Sequence, residues 1–151
     1  MTPDQFALEM SRLGQNVSRE TFSRLETYDG LLRKWQAKIN LVSAASLPDV
    51  WRRHVLDSAQ LFPMIEPKAV RLYDLGSGAG FPGLVLAILG VGDVHLIESD
   101  RRKIEFLREA HAHRRGRRPH QHPAPRRRPG RAPRRACRTL RGARGSRRRR
   151  P

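Results

Sequence analysis

Two carboxylates bracket a glycine-rich run in this chain. Asp74 opens the decapeptide Asp-Leu-Gly-Ser-Gly-Ala-Gly-Phe-Pro-Gly that ends at Gly83, and Glu98 follows 20 positions after Gly78. Glycine reaches left-handed backbone angles at little steric cost and lets a ligand approach the main chain. A helix that starts behind such a turn offers free N–H groups and the positive end of its dipole. Gly78-Ala-Gly-Phe-Pro-Gly83 satisfies G-x-G-x-x-G, and an acid at the end of the next strand suits a ribose diol. The competing reading of Glu98 is a solvated strand-end acid. Asp74 bears on the choice of cofactor. A carboxylate just before the first glycine repels a pyrophosphate but suits the cationic methionine end of S-adenosylmethionine. Four glycines also make a broader loop than a pyrophosphate needs. An NAD-dependent oxidoreductase is disfavoured on both counts.

Such a loop works only if strands and helices position it. Val70, Leu72 and Tyr73 lead into the loop, and Arg71–Leu75 reads as a strand. Pro82–Leu89 reads as a helix with Gly90 as its stop. Val94–Glu98 reads as a second strand, and Asp100 caps a helix carrying Ile104, Phe106 and Leu107. This βαβα order implies a parallel, doubly wound sheet. Upstream, Phe6, Met10 and Leu13 mark a helix over 3–13 that Gly14 stops. Ser18 caps a longer one, whose stripe is Phe22, Leu25, Tyr28, Leu31, Leu32, Trp35 and Ile39. Trp35 and Ile39 read as core. Lys34 and Lys38 lie off the stripe, on a solvated face. Ser46-Leu-Pro-Asp49 resembles a capping box opening a third helix, which runs to about Leu61 and ends before Pro63.

Charge is distributed unevenly along the 151 residues. Residues 1–109 hold 14 basic and 14 acidic side chains, whereas all 17 remaining arginines and no acid follow Ala110. In 114–151 Leu140 is the only large aliphatic residue and no aromatic occurs. Such a segment buries too little apolar surface to offset its chain entropy, so disorder is expected. Cys137 is the single cysteine, which excludes an internal disulfide and fits a reducing compartment. There is no signal-peptide pattern at the N-terminus, and the longest apolar run, Leu84–Leu89, is too short to span a bilayer. A cytoplasmic monomer with no membrane association is expected. The His pairs 111/113 and 120/122 lie in arginine-rich sequence without metal-ligand spacing, and no metal site is predicted.

Three segments together resemble one family. The decapeptide Asp74–Gly83 is similar to the cofactor loop of the bacterial 16S rRNA guanine-N7 methyltransferases, RsmG or glucose-inhibited division protein B. Lys34-Trp-Gln-Ala-Lys-Ile-Asn-Leu41 looks like that family's helix-to-loop segment. Arg53-His-Val-Leu-Asp-Ser58 looks like its Arg-His-x-x-Asp-Ser stretch. The resemblance covers about residues 1–111. It implies a class I, Rossmann-like methyltransferase fold with S-adenosyl-L-methionine as cofactor, and 16S rRNA or the small ribosomal subunit as partner. By motif position, Gly76, Gly78, Gly80 and Phe81 line the cofactor pocket, Glu98 holds the ribose, and Asp74 lies near the methionine moiety. Arg53, His54, Asp57 and Ser58 fall on one side of a helix. They either support the loop, touch rRNA phosphate or cap helix packing.

The implied chemistry is simple. Guanine N7 is a lone-pair acceptor without a proton, so its methylation needs no general base. No catalytic acid–base residue is expected. The resemblance stops near Ala110-His111, where the family continues with further strands. Expected divisions are therefore 1–66, an N-terminal helical region; 67–111, a partial cofactor-binding unit with two of the sheet's strands; and 112–151, a disordered Arg/Pro-rich tail. Arg, Pro, Ala and Gly all have GC-rich codons, which suggests a frameshift product. Methyl transfer by the chain as written is expected to be impaired. A non-enzymatic nucleic-acid binder working through the tail is the alternative function.

Overall fold

The computed structural model describes residues 1–65, 71–114 and 138–141. The helix α1 (Pro3–Arg12) is opened by a capping box between Thr2 and Gln5, and Gly14 at φ 71° turns the chain out of it. Ser18 caps α2 (Arg19–Gln36) as expected, accepting the Thr21 N–H at 3.1 Å. Its stripe buries Leu25, Tyr28, Leu31 and Leu32, while Lys34 and Lys38 face solvent.

The expected third helix is not one regular helix. A 3-10 turn (Leu47–Asp49) leads through Val50 into a π-helical stretch (Trp51–Leu56), then one α-helical turn, α3 (Asp57–Ala59). A second 3-10 turn covers Phe62–Met64. Ser46 makes no side-chain cap. Its hydroxyl donates instead to the Ser43 carbonyl at 3.0 Å, and it lies 2.8 Å from His54 Nε2. The capping-box reading failed because Ser46 is αR rather than extended and its hydroxyl is engaged by Ser43 and His54 instead of a following N–H.

The glycine-loop unit follows the sequence closely. The strand β1 (Leu72–Leu75) is parallel to β2 (Val94–Glu98), with Asp74 opposite Leu96, and α4 (Gly83–Leu89) connects them. Gly90 ends α4 at φ 126°. Asp100 caps α5 (Arg101–Arg114), its Oδ1 accepting the N–H groups of Arg102 and Lys103 at 2.8 and 3.2 Å.

Two expectations about the tail need correction. The helix α5 runs to Arg114, beyond the expected boundary, and Arg138–Arg141 forms a strand, β3, antiparallel to β2. The sheet order is therefore β1-β2-β3, with three strands rather than two. The physical reason lies in β2. Its outer edge carries main-chain donors and acceptors that need partners, and backbone pairing makes little demand on side-chain type. The rest of the expected disordered tail lies outside the described residues.

One core joins the layers. Phe6 and Met10 of α1, Leu25 and Leu32 of α2, Val55, Leu84 of α4, and Phe106 and Leu107 of α5 are all buried within it. Each such side chain contributes about 1.5–3 kcal/mol by leaving water. Trp51 bridges α1 and α2, edge-on to Phe6 and stacked on Phe22. Trp35, expected in the core, is half-buried against it, edge-on to Phe106, and donates its Nε1–H to Glu109 at 2.9 Å. No helix among the described residues is long and apolar enough to cross a membrane.

Candidate functional site

The loop leaves the C-terminal end of β1 and closes over the C-terminal end of β2. Gly76, Gly78 and Gly80 all take positive φ, at 75°, 53° and 94°. Side chains rarely adopt such angles. Beyond that the four glycines divide into two pairs. A Cβ on Gly76 meets nothing within 4 Å, and one on Gly78 meets only the loop's own Gly76 oxygen at 3.6 Å. These two present open main chain. A Cβ on Gly80 lies 3.0 Å from Leu84 Cβ and 3.2 Å from the Tyr28 hydroxyl. One on Gly83 lies 2.6 Å from both Asp74 Oδ2 and Leu96 Cδ2. The second pair lets loop and helix pack onto the strands.

Ser77 pins the loop between the two strands. Its side chain is buried, donates to the Asp74 carbonyl at 2.9 Å and accepts the Ile97 N–H at 2.9 Å. The Gly76 and Ser77 N–H groups both donate to the Ile97 carbonyl.

Glu98 is buried at the end of β2. Its Oε2 accepts the Gly78 N–H at 2.8 Å, and its Oε1 accepts the Ser99 and Asp100 N–H groups at 2.6 and 2.9 Å. Burial raises its pKa. The bonds from Asp100, Gly78 and Ser99, with Lys103 nearby, outweigh that and hold it below its ordinary value. A carboxylate has about four acceptor positions, so one is left toward a ligand.

Asp74 is buried on the α4 side of β1. Its Oδ2 accepts the Gly83 N–H at 3.0 Å, which places a negative group at the start of α4. Burial pushes its pKa up, and Glu98 adds to this, against the Gly83 and Ser77 hydrogen bonds. Asp74 also borders an apolar cleft of about 430 Å³ formed with Leu61, Met64, Leu75, Pro82 and Leu86.

The Phe81–Pro82 peptide bond is cis. The Phe81 ring packs against two others: His54, stacked at 4.9 Å and 22°, and Tyr28, tilted at 5.5 Å. The Tyr28 hydroxyl donates to the Ala79 carbonyl from a fully buried position. Burial raises the pKa of Tyr28, reinforced by Asp74 and Asp29, so the hydroxyl keeps its proton.

All six residues expected at the cofactor therefore gather at one end of the sheet: Asp74, Gly76, Gly78, Gly80, Phe81 and Glu98. The Arg-His-x-x-Asp-Ser stretch does not share one face. In the π-helical stretch Arg53 is exposed and His54 half-buried, and in α3 Asp57 is exposed and Ser58 buried. Ser58 donates to the His54 carbonyl at 2.6 Å. Sequence reasoning missed Ser77 and Tyr28. Ser77 carried only the signal of a small polar residue among glycines. Tyr28 read as one more position of an apolar stripe, and only its hydroxyl hinted otherwise.

Known proteins are similar to this chain over the segment that carries the loop. A profile of the GidB family, described as rRNA small subunit methyltransferase G, matches residues 21–116. The chain is 67% identical over 93 residues to ribosomal RNA small subunit methyltransferase G of Paramagnetospirillum magneticum, covering 62% of this chain and 45% of that protein. It is 58% identical over 110 residues to the protein of that name in Rhodospirillum rubrum, covering 73% and 52%. The Rhodospirillum centenum protein is 66% identical over 93 residues, covering 62% and 43%. The chain thus spans about half the length of the curated relatives it matches. The match takes in the glycine loop, its two carboxylates and the helices that pack on them: this chain belongs to the GidB family, rRNA small subunit methyltransferase G.

Proposed function

We propose that this chain carries the cofactor-binding half of an S-adenosyl-L-methionine-dependent methyltransferase that acts on a guanine N7 of 16S rRNA. The observation that carries the reading is the pairing of open main chain at Gly76 and Gly78 with Glu98 at the end of β2. A nucleoside ribose fits that combination, with a carboxylate acceptor beside exposed backbone. Asp74 at the loop's entrance favours a cationic cofactor over a pyrophosphate. The named relatives favour rRNA as the methyl acceptor.

The cofactor supplies an electrophilic sulfonium methyl when bound. Guanine N7 brings its own lone pair, so the protein need not remove a proton. What remains is alignment and exclusion of water. Alignment of this kind lowers barriers by about 7–11 kcal/mol in favourable cases. Gly76 and Gly78 admit the cofactor against the main chain, Glu98 orients its ribose, and Asp74 holds the start of α4 while offering negative charge near the methionine end. Phe81, packed against the His54 and Tyr28 rings, forms a wall of the pocket.

Isothermal titration of the full chain with S-adenosylmethionine and with NAD tests the cofactor. Binding of the first and not the second is expected, and the reverse order overturns the reading. Transfer of tritiated methyl to small-subunit rRNA, mapped to a guanine, tests the acceptor. A second reading has its own support: the 17 arginines after Ala110 suit indiscriminate binding to nucleic acid. Under that reading RNA is retained but never methylated.

A further inference from the structure

We propose that His54 and Tyr28 are positioning residues that hold the glycine loop in its ligand-ready shape from the helical layer, before any cofactor arrives. The proposal rests on the cofactor reading above and assigns that site its supports.

The two residues come from different elements and grip adjacent parts of the loop. Tyr28, on α2, fixes the Ala79 carbonyl with its hydroxyl and stands where a side chain on Gly80 would collide. His54, in the π-helical stretch, stacks on the Phe81 ring, and Tyr28 packs tilted against the same ring. One carbonyl and one ring, two positions apart, are thus both immobilised. The backbone between them is Gly80 at φ 94°, a residue with little conformational preference of its own. Without outside contacts this is where the loop has most freedom.

The chemistry of His54 fits a positioning role better than simple packing. An apolar residue would fill the space beside Phe81 equally well. The imidazole adds an anchor: its Nε2 lies 2.8 Å from the Ser46 hydroxyl, which in turn donates to the Ser43 carbonyl. One ring nitrogen is therefore held by a chain of polar contacts, and the Phe81 ring is inclined by 22° to the imidazole. The π-helical turn makes this geometry available. It carries the neighbouring Arg53 outward while turning His54 inward, where burial and the Arg53 charge lower its pKa and favour the neutral ring.

Amide hydrogen exchange on the full, unliganded chain tests the clamp. Tyr28→Phe removes only the hydroxyl, and His54→Leu keeps bulk but loses the anchored ring. Each is expected to speed exchange at Gly78, Gly80, Gly83 and Leu84 at least tenfold. Amides of Leu31 and Leu32 in α2 and of Phe106 and Leu107 in α5 should hold their rates. His54→Phe should recover part of the protection. Unchanged loop exchange overturns the proposal, and so does an equal rise in every element, which marks a general loss of stability. A second arm adds S-adenosylhomocysteine. Loop protection in the parent chain that needs at least tenfold more ligand in His54→Leu supports the clamp and the cofactor reading together. A loop loosened by the substitutions, yet indifferent to the ligand in the parent chain, supports the clamp and overturns the cofactor reading.

Discussion

Glu98 and Gly78 are joined by a 2.8 Å hydrogen bond across 20 positions of sequence. The carboxylate that ends β2 thereby carries the turn that follows β1. Glu98 therefore has two roles, as an internal support of the loop and as the proposed ribose ligand.

Removing that support should be measurable without any ligand. Glu98→Ala deprives the N–H groups of Gly78, Ser99 and Asp100 of their acceptor. Hydrogen bonds to a charged group each contribute about 1.5–3 kcal/mol, and water entering the space left by the side chain replaces part of this. A loss of about 1–3 kcal/mol is expected in urea denaturation, with Glu98→Gln intermediate. An unaltered midpoint for Glu98→Ala would show that the three contacts carry no stability.

The glycine pairs should respond oppositely to asparagine. Gly76 has open space but a φ of 75°, so Gly76→Ala costs about 1–2 kcal/mol and Gly76→Asn less, since asparagine tolerates that region. Gly83 has no space, and Gly83→Ala costs about 1–3 kcal/mol by overpacking against Asp74 and Leu96. Gly83→Asn should be worse again. The same order at both positions would contradict the division into open and packed glycines.

Acid should weaken the fold in two separable steps. His54 has a folded pKa below 6.5, so the unfolded chain takes up the proton first. Its contribution is complete above 6.5 and is lost as pH falls through the lower folded value. The groups facing it are Arg53, Asp57, the Ser46 hydroxyl and the Phe81 ring. Glu98 acts likewise below its ordinary 4.5. Asp74 has the opposite sign: its raised pKa makes stability fall as pH rises from 3.8 through the folded value. Melting temperature against pH should flatten just below 6.5 in His54→Phe and below 4.5 in Glu98→Gln. Identical profiles for parent and variants would refute the assignment.

Binding to unrelated RNA should be strongly salt-dependent. Each phosphate neutralised contributes about −0.7 to the slope of log affinity against log salt for single strands. Replacing Arg147, Arg148, Arg149 and Arg150 by serine should make the slope shallower by up to about 3. Filter binding at several salt concentrations gives the answer, and an unmoved slope would remove those arginines from the interface.

Local chain chemistry made the glycine-loop unit legible. β2 matched its expected range, Asp100 capped α5, and the three left-handed glycines lay where the motif required them. The segment after Ser46 was not, because its hydrogen-bonding pattern depends on Ser43 and His54, whose proximity is tertiary. β3 was not either. Arg138–Arg141 pairs because β2 presents an open edge, which is a property of the partner and not of the arginines. Tyr28 illustrates the same limit: its spacing reports a buried face, and only the fold reveals that its hydroxyl meets a loop carbonyl 51 positions away.

The Ser77 hydroxyl has a broader consequence. One oxygen atom is bonded to the main chain of both parallel strands, so the spacing of the strands and the shape of the loop are a single variable. A ligand that tightens the loop must also tighten the sheet, and strain that spreads the sheet must open the loop. Tightening of the loop and closing of the two strands are then thermodynamically one process, read equally well from either end.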